Sequence, residues 1–76
     1  MKKKEKKILI EKILFKIRPN LKKKIYNKNL INDGILDSFD IINIISELEN
    51  KVGNIKKKMI KRATFQSIIS MTQLIK

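Results

Sequence analysis

The apolar residues of this chain recur at helical spacing and nowhere alternate at strand spacing over a useful length. Between Glu5 and Ile17, Ile10, Ile13, Leu14 and Ile17 fall at i, i+3, i+4 and i+7, one stripe of an α-helix, and Pro19 stops it. A second helix is expected from Asp37 to about Lys51. Asp37 suits its N-cap, Asp40 stands three residues on as the acid of a capping box, and Gly53 ends it. "NIKKKMIKRA" allows one short turn around Lys57 to Ile60. A last amphipathic helix, from Phe65 or Gln66 to Ile75, would present Phe65, Ile68, Ile69, Thr72 and Ile75 on one side. No period holds from Asn20 to Asp37, where Leu21, Ile25, Tyr26, Leu30, Ile31, Ile35 and Leu36 are scattered as anchors of a long connection. The pattern predicts one all-α domain over residues 1–76, with three main helices, one short helix and a long first loop.

With 76 residues there is room for a single small core and not for a cleft between two lobes. Cysteine and histidine are both absent, which removes thiol nucleophiles, imidazole bases and nearly all zinc-site designs, so no metal site is expected. The longest apolar runs are far too short to span a membrane, and the lysine-rich start lacks a following apolar segment and cleavage site. These features read as a soluble cytoplasmic protein that is not itself an enzyme.

The net charge of +12 is unevenly distributed. Residues 1–31 hold twelve basic and two acidic side chains, residues 32–50 hold five acids and no base, and residues 51–76 hold seven bases and no acid. Converging cations would suit a polyanion, giving one reading as a small basic helical module for nucleic acid or an anionic surface. Lysines outnumber arginines 17 to 2, however, and bidentate phosphate or base recognition favours arginine. The balance therefore lies with a solvated, lysine-rich surface rather than a nucleic-acid site.

The acidic island is "DGILDSFDIINIISELEN". At ~100° per residue, Ile41, Ile45, Leu48 and Val52 cluster on one face of its helix, with Ile44 on one flank and Ile42 on the other, and that face is the expected core. Phe39, Asn43, Ser46 and Asn50 form a different stripe, pointing away from it. Phe39 is then either an ordinary surface or loop-covered residue, or an anchor for a partner. Ser38 sits in the first helical turn, where a capping role is common and a bonded anion is favoured by the amides and the helix dipole. With no histidine to deprotonate it, Ser38 is not a hydrolase nucleophile of the usual kind. Any chemistry at Ser38 must be supplied by another protein.

At these residues the chain resembles a known family. "LINDGILDSFDIINIISELENKVG" is similar to the central region of phosphopantetheine-dependent carrier proteins, and "GILDSF" looks closest to D-alanyl carrier and stand-alone peptidyl or acyl carrier proteins. The resemblance rests on Asp37-Ser38-Phe39 together with the order of helix, long loop, motif, short turn and last helix. It implies a four-helix carrier-like bundle in which Ser38 is esterified by 4′-phosphopantetheine, taken from coenzyme A by a separate phosphopantetheinyl transferase. The arm would carry acyl, aminoacyl or peptidyl groups as thioesters. Asp37, Phe39, Asp40, Asn43, Ser46 and Glu47 would then meet the transferase, an acyl- or aminoacyl-loading enzyme and a downstream synthase. Members of the family are commonly acidic; here the whole chain is basic, and Asn43 and Asn50 stand where acids are often found. A carrier-like fold kept only as an interaction module would share the architecture without the arm.

Overall fold

Two long helices and a C-terminal segment of short turns make up the molecule. The computed structural model describes residues 1–21 and 28–76. The helices are α1 (Lys3–Ile17), α2 (Ser38–Val52) and α3 (Ile68–Met71), with 3₁₀ turns at Lys57–Met59, Arg62–Gln66 and Thr72–Leu74. Among the described residues no strand forms; one isolated antiparallel bridge joins Ile55 to Ile75. Two of the expected loop anchors, Ile25 and Tyr26, lie outside the described residues.

Helix α1 starts two residues before Glu5, where the amphipathic segment was expected to begin, and ends before Pro19, with the Arg18 amide donating to the Leu14 carbonyl at 2.8 Å. Its expected stripe is the buried one: Ile10, Ile13 and Leu14 are enclosed and Ile17 packs at the margin. Enclosing each such side chain stabilises the fold by about 1.5–3 kcal/mol. The long connection is held as the pattern predicts, by Leu30, Ile31 and Leu36, all buried. A tight turn begins at Asn29, whose side-chain oxygen accepts from the amides of Ile31 (3.1 Å) and Asn32 (2.9 Å), and passes through Gly34 at φ 72°. Only glycine adopts that backbone without strain.

Helix α2 has both predicted ends. Asp37 and Asp40 form a reciprocal capping box, and Gly53, at φ 79°, stops the helix with its amide on the Glu49 carbonyl at 2.9 Å. The phase of its buried face differs from the wheel. Ile44 and Leu48 are fully enclosed, Ile41, Ile45 and Val52 are only partly covered, and Ile42 is 62% exposed. The core direction is set by where α1 lies against α2, and a run of five isoleucine or leucine positions carries several equivalent phases.

The C-terminal segment is a correction to the predicted continuous helix. The chain breaks at Ser67, which is extended (φ −148°, ψ 161°) and caps the four-residue α3. The Ser67 hydroxyl accepts from the Ser70 amide (3.0 Å), the Ser70 hydroxyl accepts from the Ser67 amide (3.1 Å), and the Ser70 hydroxyl donates to the Thr64 carbonyl (2.7 Å). These serines compete with the helix for its own backbone groups. As a result Phe65, Ile68, Met71, Leu74 and Ile75 face the core, whereas Ile69, placed by the pattern on the apolar side, is 60% exposed. The Lys56 amide donates to the Leu74 carbonyl (2.8 Å) and α3 packs on α1, which closes one hydrophobic core. No described helix is long and apolar enough to cross a membrane.

Candidate functional site

The first turn of α2 collects most of the residues singled out by sequence. Ser38 is the first residue of the helix and is exposed, and its hydroxyl has no hydrogen-bond partner among the described residues. It is therefore not a capping serine: the cap is Asp37, whose carboxylate accepts from the Asp40 amide at 3.0 Å. Phe39 follows, 77% exposed. The described part of the loop does not cover it. Because Ile42 lies one turn further along the helix and is also exposed, the two side chains make an apolar pair on this surface, continued by exposed Asn43, Ser46 and Asn50.

Asp40 takes a different place from the one expected. The motif groups it with the partner-facing residues, but it is 4% exposed and its carboxylate is bonded within the protein. Arg18, immediately after α1, grips it as a fork: Nε lies 3.0 and 3.1 Å from the two carboxylate oxygens and Nη2 lies 2.7 Å from Oδ2. Oδ2 also accepts from the Asp37 amide at 3.0 Å. Burial pushes the Asp40 carboxyl up, but the hydrogen bonds from Arg18 and from the Asp37 backbone, with the Arg18 charge, outweigh it and hold the carboxyl below its ordinary value. The same hydrogen bond and charge raise the Arg18 guanidinium. Arg18 also approaches the Asp37 carboxylate at 3.6 Å. One cation thus ties the end of α1 to both acids of the capping box, on either side of Ser38 in the chain.

Glu47 is likewise only partly available, since both of its oxygens lie 3.0 Å from Lys16 Nζ on α1. The pairs Arg18–Asp40 and Lys16–Glu47 set α1 and α2 antiparallel. They also draw Asp40 and Glu47 toward α1, so that Glu49, exposed and one turn past Ser46, is the carboxylate left beside the stripe of Phe39, Ile42, Asn43 and Ser46. Sequence reasoning missed Ile42, whose hydrophobicity placed it beside the core, and Arg18, whose partner stands 22 positions away. Nothing local to Arg18 announces that contact.

The amides of Ser38 and Phe39, at the open end of α2, have no acceptor among the described residues. Such orphan donors and the helix dipole favour an anion there. A phosphodiester on Ser38 fits this chemistry, since the hydroxyl is exposed, has no partner among the described residues and has donors beside it. Among the described residues no group of three or more acidic side chains is placed to hold a metal ion. No family model, no curated protein and no solved structure matches the chain.

Proposed function

We propose that this chain is a carrier protein that holds acyl, aminoacyl or peptidyl groups as thioesters on a 4′-phosphopantetheine arm attached to Ser38. The observation that carries the proposal is the state of Ser38. It is the first residue of a long helix, exposed, unbonded to any described residue, and flanked by a cap that does not need its hydroxyl. A serine in that position is otherwise most often the cap itself. The element order supports a carrier-like bundle: a long helix, a long anchored connection, the serine-bearing helix, a short turn and a short last helix.

In this reading the chain's own residues present and support the hydroxyl. Asp37, Asp40 and Arg18 fix the first turn of α2, the Ser38 and Phe39 amides favour the phosphate, and Phe39 and Ile42 offer an apolar foothold to the transferase and the loading enzyme. The arm supplies the thiol that this chain lacks. The chain catalyses nothing alone.

Incubation with coenzyme A, Mg²⁺ and a broad-specificity phosphopantetheinyl transferase is expected to add one arm by intact mass, and Ser38→Ala is expected to abolish the addition. Ser38→Ala should melt within about 2–4 °C of the wild type, because an exposed hydroxyl with no partner among the described residues contributes at most ~0.5 kcal/mol to stability. No addition by transferases that modify a control carrier in the same tube would overturn the proposal.

A further inference from the structure

Far from Ser38, the fold brings together basic segments that are distant in sequence. Lys3, Lys4 and Lys7 of α1 surround Ile69 of α3 and, with Thr72, line a shallow concavity; a neighbouring one shares Lys3 and Thr72 and adds Lys56 and Met59. On the α1 wheel Lys3, Lys7 and Lys4 fall within an arc of ~100°; Glu5 lies roughly opposite the middle of that arc, and half-buried Glu11, one turn beyond Lys7, is the acid within it. Ile69 is thus an aliphatic side chain, 60% exposed, that lines one concavity together with three lysines.

We propose that this end of the bundle docks on the surface of an anionic phospholipid bilayer, with the lysines over the headgroups and Ile69 entering the headgroup boundary. The charges are complementary to that surface. Lysines act as point charges that need no fixed partner geometry, which suits a diffuse layer of anionic headgroups, each contributing about fivefold in affinity. Exposed Ile69 adds the apolar contact that interfacial proteins use. Nucleic acid fits less well, because single strands are gripped by stacking aromatics and a duplex offers exposed Ile69 no apolar layer to enter. Among the described residues this end shows none: Phe65 is buried and Phe39 is at the start of α2. The apolar stripe of α1 is spent in the core, so the helix does not lie flat in the interface. Fifteen helical residues span ~22 Å, so docking by the Lys3 end leaves the Arg18 end, and Ser38 beside it, facing away from the bilayer.

The test is co-sedimentation with phosphatidylcholine vesicles, with and without phosphatidylglycerol, at low and moderate salt. The wild type is expected to bind only the anionic vesicles and to release as salt rises. Lys3→Gln/Lys4→Gln/Lys7→Gln should weaken binding by at least about 25-fold, the share of Lys3 and Lys4 alone, and Ile69→Ser about three- to tenfold. Lys16→Gln, near the other end of α1 and beyond the screening length at moderate salt, should there stay within about twofold. Thermal melts of each variant establish that it is folded. Ser38→Ala should bind vesicles as the wild type does, so the docking surface and the carrier proposal stand or fall separately. Four results would overturn the inference: no binding to anionic vesicles at low salt, equal binding to neutral ones, unchanged binding by the triple or Ile69→Ser variant, or tighter binding to duplex or single-stranded oligonucleotide than to anionic vesicles at the same salt.

Discussion

Replacing Asp40 by asparagine isolates the contact that ties α1 to the start of α2. The carboxylate accepts from Arg18 Nε and Nη2 and from the Asp37 amide, while the Asp40 amide reaches back to Asp37. Asparagine keeps one oxygen for one donor and turns its NH₂ toward the donors of Arg18. A hydrogen bond to a charged group contributes about 1.5–3 kcal/mol. Arg18 remains half open to water and can rehydrate, so the loss falls toward the lower end, about 1–2 kcal/mol. In a domain of this size that lowers Tm by roughly 4–16 °C. The pH dependence is a second signature. The folded Asp40 carboxyl lies below its ordinary value of 3.8, so the unfolded chain binds the proton more readily. The stabilisation is therefore whole above about pH 5 and is lost as the pH falls below about 4 toward the folded value. Thermal melts by circular dichroism between pH 3 and pH 7 should show a steeper acid-side decline for the wild type than for Asp40→Asn. Adding Arg18→Gln to Asp40→Asn should cost little more than Asp40→Asn alone. An Asp40→Asn protein with the wild-type Tm at pH 7 and the same acid limb would refute the account.

Like-charge repulsion among 19 cations works against the compact state, so Tm and helicity should rise between low and moderate salt; flat melts would mean that the lysines are too dispersed to matter. Ile44→Ala should lose about 2–5 kcal/mol by denaturant melts, whereas Ile42→Ala, on the exposed side of the same helix, should stay within about 0.5 kcal/mol. Equal losses at the two positions would place the core face of α2 wrongly. Ser70→Ala should destabilise by about 1 kcal/mol, because it removes half of the Ser67 capping box and the bond to Thr64. Lys16→Ala should cost at most ~1 kcal/mol, as an exposed ion pair does.

Local chemistry was the most legible part of this chain. The Asp37–Asp40 capping box, the stops at Pro19 and Gly53 and the buried stripe of α1 all follow from a few neighbouring residues, and the structure has each of them. What failed depended on partners far along the chain. Whether Ile42 or Ile44 faces inward is decided by the position of α1. The two have the same side chain, so hydropathy ranks them equally. Asp40 reads as a surface acid until Arg18 is brought beside it. The break at Ser67 had a signal, two serines three residues apart, but it was outweighed by the helical spacing of Phe65, Ile68 and Ile75. At the candidate site Ser38 and Phe39 are exposed, while two of the acids assigned to partners, Asp40 and Glu47, turn out to be paired with Arg18 and Lys16.

The brevity of α3 bears on how the molecule folds. An isolated helix of four residues has no stability in water, because nucleation alone exceeds what its few bonds return. Helices α1 and α2 are long enough to flicker into existence early, but the segment from Thr64 to Ile75 can order only once α1 offers it a surface, and it then supplies Phe65, Ile68, Met71 and Leu74 to a core that is incomplete without them. Opening of the C-terminal segment and loss of the core are thus one event. The amide of Ile75, bonded to Thr72, and that of Lys56, bonded to Leu74, should exchange with solvent deuterium at the rate of global unfolding rather than by fraying. The chain's last turns then act as a reporter of whether the whole domain is folded.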